Sequence, residues 1–471
     1  MRKTKVICTI GPASDNEEIL IQMAEAGMNV ARCNFSHGTH EQHRARMDMI
    51  KKVREELNLP IAIMLDTKGP EYRIGLFKEG KVTLNNGDKF IFTTDEVMGD
   101  NTKVSVSYKK LHEELNKGDT ILVNNGLVIF KVEEIKGHDI VTIVTNGGVI
   151  SDRKSMSFPN KHLKQVFLSE QDKSDLLFGI ENDVEFVAAS FVSCKQDMVD
   201  MRKFLDENGG ENIEIIAKIE NRSGVDNIKE ICEIADGIMV ARGDLGVEVP
   251  FIEVPSIQKE LIKRCRLMGK IVITATEMLE SMINNPRPTR AEISDVANAV
   301  YDGTSAIMLS GESASGKYPV EATRNMASIA EFTEKNIDYR KLFSETNFEI
   351  RSAIDAVSHA TCDMAIDVNA KAIVVSSMTG ATVRMVARFR CPVDILGVTT
   401  SEKVWYKLAL SWGVTPAMAG KFEHTTPMFN NALNLAKMTF NLKAGDHVIL
   451  TGGSAGAKAG STNLIKLEIV K

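Results

Sequence analysis

A chain of 471 residues holds two or three domains with a large core, and 43% hydrophobic with 25% charged residues is ordinary for a water-soluble globular protein. The formal net charge of -6 is spread without like-charge blocks, which excludes the clustered Lys and Arg footprint of a nucleic-acid-binding face. No segment approaches a membrane span, the apolar run in MRKTKVICTIGP is too short for a signal peptide, and the scattered cysteines (Cys8, Cys33, Cys194, Cys232, Cys265, Cys362, Cys391) form no C-x-x-C pair, so a reducing, cytoplasmic setting is expected.

Apolar, β-branched runs recur along the chain: KVICTIGP (5–12), NVARCNFS (29–36), IAIMLDTKG (61–69), EFVAASFV (185–192), IEIIAKIE (213–220), GIMVARGDLG (237–246), KIVITATEM (270–278) and SAIMLSGES (305–313). Hydrophobicity that is continuous rather than alternating marks parallel strands covered on both faces. Helical patterns follow nearly every run, among them 15–27, 40–58 and 224–236, and Ser169 with Asp172 resembles a capping box ahead of the fourth strand. Eight strands alternating with helices predict an α/β fold built on a (β/α)8 TIM barrel, with an open doubly wound sheet as the other possibility.

One connection breaks this rhythm. Between Gly69 and about Leu168 the helical pattern gives way to short runs punctuated by Asn-Gly and Gly-Asp, which predicts a small inserted antiparallel β domain over 70–166. Coming after the third strand, it should overhang the mouth of a barrel made of 1–69 and 167–337. From 338 to 471 a helix (351–368), a strand-loop-helix (370–389) and further strands (393–400, 446–453, 463–470) predict a C-terminal open α/β domain.

Barrel active sites lie at the C-terminal ends of the strands, and the polar residues gather there. The second strand ends in Arg32, Asn34, Ser36 and His37, the third in Asp66, Thr67 and Lys68, and the fifth in Lys218 and Glu220. The sixth ends in Arg242, Gly243 and Asp244, the seventh in Thr274 and Thr276, the eighth in Ser310 and Glu312. Side chains alternate along a strand, so Lys218 and Glu220 share a face. Glu220 and Asp244 sit at matching depth on consecutive predicted strands. Two readings stay open for them: a Mg²⁺ or Mn²⁺ site completed by substrate and water, or ion pairs of Glu220 with Lys218 and Asp244 with Arg242. Cations around one mouth, with Arg32, Arg73 and Lys218 among them, suit an anionic substrate.

The motifs NFSHGTH (34–40), LDTKGPEYR (65–73), IAKIEN (216–221), MVARGDLGVE (239–248), ITATEMLESM (273–282), NPRPTRAE (285–292) and IMLSGESASGKYP (307–319) together resemble the pyruvate kinase family, in its order and spacing and over essentially the whole chain. The chain looks like a short form without an appended phosphotransfer-type domain. The resemblance implies phosphoryl transfer from phosphoenolpyruvate to ADP, with Glu220 and Asp244 holding Mg²⁺ or Mn²⁺ and with Lys218, Arg32 and Thr276 as the catalytic groups. It implies substrate contacts at Arg32, Lys218, Gly243, Asp244 and Thr276, and K⁺ at Asn34, Ser36, Asp66 and Thr67. Glu71 matches the members that require K⁺. The nucleotide side is implied at Asn34, Phe35, Ser36, His37, Arg73 and Lys154, and the assembly as a homotetramer.

Two stretches depart from the family pattern: Asn124-Asn125 stands where an acidic pair is usual, and RKSMSFPN (153–160) replaces a Gly-rich run. In the third domain SSMTGAT (376–382) resembles a phosphate nest, which implies an allosteric effector phosphate at Ser376, Ser377, Thr379 and Thr382, with Lys458 the only cation of the late loop 451–463. Competing expectations are a Mg²⁺-dependent barrel lyase acting through a pyruvate enolate and a catalytically inactive sugar-phosphate sensor. Arg73 and Lys154 on the inserted domain favour a kinase over the first, and the intact strand-end residues favour it over the second.

Overall fold

The computed structural model describes every residue except 160, 162, 164, 165, 457–459 and 461. Eight parallel strands, Lys5–Thr9, Val30–Asn34, Ala62–Asp66, Phe186–Ala189, Glu214–Ile219, Gly237–Ala241, Ile271–Ala275 and Ala306–Leu309, form a closed barrel in which the first pairs with both the second and the eighth. This is the (β/α)8 architecture expected from the apolar runs. Helix starts are set locally: Asn16 caps Glu17–Ala26, and Thr39 with Gln42 and Ser169 with Asp172 form capping boxes for His40–Glu56 and Glu170–Glu181.

The expected helix over 224–236 is two helices, Arg222–Asp226 and Ile228–Ile234. The break falls at Asn227, whose side chain is drawn off to donate to Ser193 O at 2.9 Å. The sixth strand is shorter than its apolar run: it ends at Ala241, and Arg242–Glu248 is already helix. Asp244 therefore sits on a helical turn and not on a strand end.

Inside the barrel Val30, Met64, Ala188, Ile216, Met239 and Ile273 pack together, with Leu410 of the third domain closing the lower end. Two residues further along the second to fifth strands, the same inward face carries Arg32, Asp66, Ser190 and Lys218. The two-residue period of a strand thus fixes which side chains meet at the mouth.

The segment after the third strand folds as a seven-stranded sheet plus a two-stranded ribbon, around a cluster of Phe90, Phe92 and Phe130 with ring centroids 4.9 to 5.7 Å apart. Among the described residues its strands pair antiparallel, apart from Lys89–Thr93 alongside Lys103–Ser105 and an isolated parallel bridge between Phe77 and Gly99. The third domain is a five-stranded sheet, parallel apart from its last strand, Leu464–Ile469. One of its edge strands, Val414–Met418, had no counterpart in the apolar pattern. Pro416 weakens that pattern and is tolerated because the strand has a neighbour on one side only.

Leu410 is fully buried. Leu410→Ala is expected to cost about 2–5 kcal/mol and to lower the unfolding temperature, while leaving the mouth intact. Thermal melts with activity measured per folded molecule check this.

Candidate active site

Lys218 is the hub of the mouth. Its Nζ lies 3.0 Å from Asp66 Oδ1, 3.0 Å from Glu220 Oε1 and 2.7 Å from Ser190 Oγ. Burial works against the charged amine, but Asp66 and Glu220 outweigh it and hold the ammonium above the ordinary lysine range. Asp66 is shared: its Oδ2 accepts from Arg32 Nε at 2.6 Å, and Arg32 Nη1 reaches Thr9 Oγ1 at 2.8 Å. Burial works against the Asp66 charge too, yet Arg32 and Lys218 pull its carboxyl below the usual range. The structure therefore brings Arg32, Asp66, Lys218 and Glu220 into one network.

Ser190, Thr9 and the Phe191 N–H were not among the residues singled out in the sequence. Ser190 Oγ donates to Thr67 O at 2.6 Å, and Phe191 N donates to Glu220 Oε2 at 2.6 Å from a backbone held at φ 57°. The signal was available, since Thr9 and Ser190 are the polar residues ending the first and fourth strands.

Glu220 is fully buried, and burial pushes its carboxyl up to about 7, with Lys218 opposing and Asp244 adding to the rise. Its Oε1 faces Lys218 without an aligned hydrogen bond. Of the two ion pairs considered from sequence, Glu220 with Lys218 forms. Arg242 instead pairs with Asp295 at 2.7 Å and donates to Thr276 O at 2.7 Å. Asp244 is exposed at the edge of the cleft and makes no ion pair among the described residues. A buried carboxylate oxygen without a hydrogen bond, with the exposed Asp244 carboxylate close enough to raise the Glu220 carboxyl, fits a hard divalent cation that takes few protein ligands. Among the described residues no three His, Cys, Asp or Glu side chains cluster as a complete metal shell, so the remaining ligands would come from substrate and water.

Asn34 and Asp66 are register partners on neighbouring strands, and Thr67 follows. Asn34 Oδ1 accepts from Ser36 N at 3.1 Å, and Thr67 Oγ1 accepts from Ser190 N at 3.1 Å. These are hard oxygen donors of the kind a monovalent cation takes. Gly243 N, expected to meet a substrate carboxylate, donates to Thr276 Oγ1 at 2.7 Å, so the threonine hydroxyl holds the acceptor position there. Thr276 and Glu277 lie at φ 70° and 54°, costly for a β-branched residue and a mark of a functional turn.

Above the mouth a cleft of about 410 Å³ lies between barrel and inserted domain, lined by Glu71, Arg73, Asn124, Asn125, Lys154, Asn221, Asp244 and Glu248 among others. Glu71 clamps Arg73 through two 2.9 Å hydrogen bonds and lies 3.8 Å from Lys68. Asn34, Ser36 and His37 are not among the described residues lining this cleft. Phe35 differs most from its expected nucleotide role: its ring is buried, stacked on His43 at 3.9 Å and packed against Phe178. Asn124 and Asn125 have a backbone reason, since both occupy left-handed φ (57° and 55°), which asparagine tolerates better than other side chains. Glu248 links barrel to inserted domain, accepting from Ser157 and from the Phe158 backbone.

In the third domain Ser376, Ser377, Thr379 and Thr382 line one pocket of about 280 Å³. Ser377 Oγ accepts from Gly380 N at 3.0 Å, and Thr382 shares a short hydrogen bond with Thr462. Lys421 also lines this pocket, whereas Lys458 lies outside the described residues.

Residues 1–323 match the family model of the pyruvate kinase barrel domain, and 355–468 that of the pyruvate kinase alpha/beta domain. The pyruvate kinase of Clostridium acetobutylicum is 48% identical over 473 residues, covering 100% of both chains. That of Geobacillus stearothermophilus is 45% identical over 472 residues, covering 100% of this chain and 80% of the relative. A crystal structure of a pyruvate kinase from Cryptosporidium parvum superposes with a TM-score of 0.95 at 37% identity, covering 100% of this chain and 96% of that one. No helix among the described residues is long and apolar enough to cross a membrane.

Burial pushes the Glu248 carboxyl up to about 7 from an ordinary 4.5, with Ser157 and Phe158 opposing. A raised folded-state value means that its contribution is full below the ordinary value and is lost as the pH rises through about 7. Glu248→Gln has no proton to lose there. The unfolding temperature of the natural protein is therefore expected to fall relative to the variant between pH 5 and pH 8, as parallel melts across that range would register.

Proposed function

The chain belongs to the pyruvate kinase family, and on that premise we propose that it transfers the phosphoryl group of phosphoenolpyruvate to ADP, giving pyruvate and ATP in cytoplasmic glycolysis. The observation carrying the residue assignment is the buried Lys218 ammonium, kept charged between Asp66 and Glu220. A metaphosphate-like group in flight spreads negative charge over its oxygens, and a fixed cation in a dry site stabilises that charge without reorganising. Arg32, anchored by Asp66 and Thr9, holds the phosphate from the neighbouring side. Mg²⁺ or Mn²⁺ held by Glu220 and Asp244, with K⁺ at Asn34, Ser36, Asp66 and Thr67, would neutralise the phosphoryl and carboxylate oxygens.

Gly243 N–H takes a substrate carboxylate oxygen as Thr276 Oγ1 turns from it toward the methylene carbon. Arg73 and Lys154 address the nucleotide from the inserted domain, whose closure over the cleft excludes the water that would otherwise capture the phosphoryl group. On the barrel side the same task falls to Asn34, Ser36 and His37, with Phe35 contributing as packing. We assign 1–69 and 167–337 to the barrel, 70–166 to the lid and 338–471 to an effector domain. There Ser376, Ser377, Thr379 and Thr382 hold the phosphate of an allosteric effector, and the assembly is a homotetramer.

The test is a coupled assay of pyruvate formation with Mg²⁺, with and without K⁺, on the natural protein and Lys218→Met. K⁺-stimulated turnover is expected, with kcat falling roughly 10²–10³-fold in the variant while Mn²⁺ still binds. Absence of turnover in the natural protein, or a variant as active as it, overturns the assignment. In the same assay a sugar phosphate is expected to lower the half-saturating phosphoenolpyruvate concentration, and Ser377→Ala with Thr382→Ala to abolish that response.

A further inference from the structure

The third domain meets the lower end of the barrel in a second polar place, lined by none of the residues that line the two sites above. A crevice of about 20 Å³ is lined by Arg266, Lys270, Arg384, Arg388 and Arg390 with Ser305, Ser411 and Trp412, and no carboxylate is among its lining residues. Three of these cations are charge-paired or bonded outside the crevice. Arg384 pairs with Glu214 at 2.5 Å, Arg388 with Asp355 at 3.1 Å, and Lys270 donates to Ala235 O at 2.8 Å. Arg390 and Arg266 have no ion-pair partner among the described residues. Arg390 is 4% exposed and has only Gly303 O at 3.0 Å, Ser305 Oγ at 3.1 Å and the face of Trp412 at 4.4 Å. Arg266, 9% exposed, makes no side-chain hydrogen bond or ion pair among the described residues.

Five buried polar atoms without partners thus line one crevice: Arg266 Nε, Arg384 Nε, Arg388 Nε, Arg390 Nε and Ser411 Oγ. Two buried guanidinium groups with no ion-pair partner among the described residues, and only the more distant Glu334 charge acting on Arg390, are expensive unless something compensates them. Burial, with the Arg266 charge adding to it, pushes Arg390 down to about 9. Burial lowers Arg266 as well. Helix C-termini supply part of the compensation through Gly303 O, but a carbonyl is a partial charge.

We propose that this crevice is a phosphate-binding site in which Arg266 and Arg390 clamp a phosphate dianion, free or carried on a sugar monophosphate, and Ser411 donates to it. Guanidinium forks match phosphate oxygens two at a time, and the hydroxyl adds a third donor. At its present size the crevice takes one water-sized group. Arg266, on its unbranched stem and the more exposed of the two, moves outward to admit the ligand. The site is distinct from the pocket at Ser377 and Thr382, although the helix Ala381–Arg388 borders both, with Thr382 in its first turn and Arg384 and Arg388 further on.

The test titrates inorganic phosphate, and separately a hexose monophosphate, into four proteins followed by thermal shift: the natural chain, Arg266→Gln, Ser411→Ala, and Ser377→Ala with Thr382→Ala. Arg266→Gln removes an uncompensated buried charge, so it is expected to fold. Stabilisation in the natural chain and in the Ser377/Thr382 variant, with apparent affinity weakened roughly tenfold in Arg266→Gln and less in Ser411→Ala, is the expected result. A response to inorganic phosphate assigns the site to the bare anion, and a response to the hexose monophosphate alone assigns it to the ester. If neither ligand gives a shift that Arg266→Gln or Ser411→Ala weakens, the site does not exist.

Discussion

A protonated amine buried at the end of an apolar strand can persist only if carboxylates are brought to it, and that requirement organises the upper half of this barrel. Lys218 is met by Asp66 from the third strand, Ser190 from the end of the fourth and Glu220 just beyond its own strand. Arg32 of the second strand then neutralises the second oxygen of Asp66 and is itself steered by Thr9 of the first. Five strands in order contribute one polar group each, or in one case two. None of these charges is tolerable alone at that depth, so barrel closure and site assembly are one event. The apolar interior below them, closed by Leu410, gives the polar layer a dry and rigid floor.

Much of this was legible from residue order because the rule involved is short-range. A strand's two-residue period places Lys218 and Glu220 together whatever the rest of the chain does. Asp244 was misplaced on a strand because GIMVARGDLG is apolar without interruption up to Arg242, and hydrophobicity does not show where a strand becomes a helix. Ser190 and Phe191 are long-range features, since their importance comes from Glu220 and Lys218, 29 and 28 residues further on. Phe35 belongs to a motif whose neighbours face outward, yet its own ring packs on His43. The Asn124-Asn125 pair read as a loss of charge, and the backbone shows instead two left-handed residues in a tight connection.

The inserted domain is tied to the barrel at both of its ends by charge. At its entry Glu71 lies 3.8 Å from Lys68 of the barrel and holds Arg73, which also donates to Arg153 O at 2.7 Å. At its exit Glu248, on the helix that carries Asp244, accepts from Ser157 and Phe158. A domain fastened at two points would move as a body on its connections. Its contents, the phenylalanine cluster and paired strands, would not need to rearrange in such a movement.

The third domain reaches the same network from below. Arg384 and Lys407 both pair with Glu214, at 2.5 and 3.1 Å, and Glu214 is the first residue of the strand that carries Lys218. A strand rises about 3.3 Å per residue, so four residues place the two charged layers roughly 13 Å apart on one stiff element. Arg384 belongs to the helix whose first turn carries Thr382. A movement of that helix would be felt at the base of the fifth strand, because the ion pair joins the two and packed interiors deform by discrete steps and not continuously. The buried pairs at Glu214 are thus a direct physical contact between the third domain and the strand that carries Lys218.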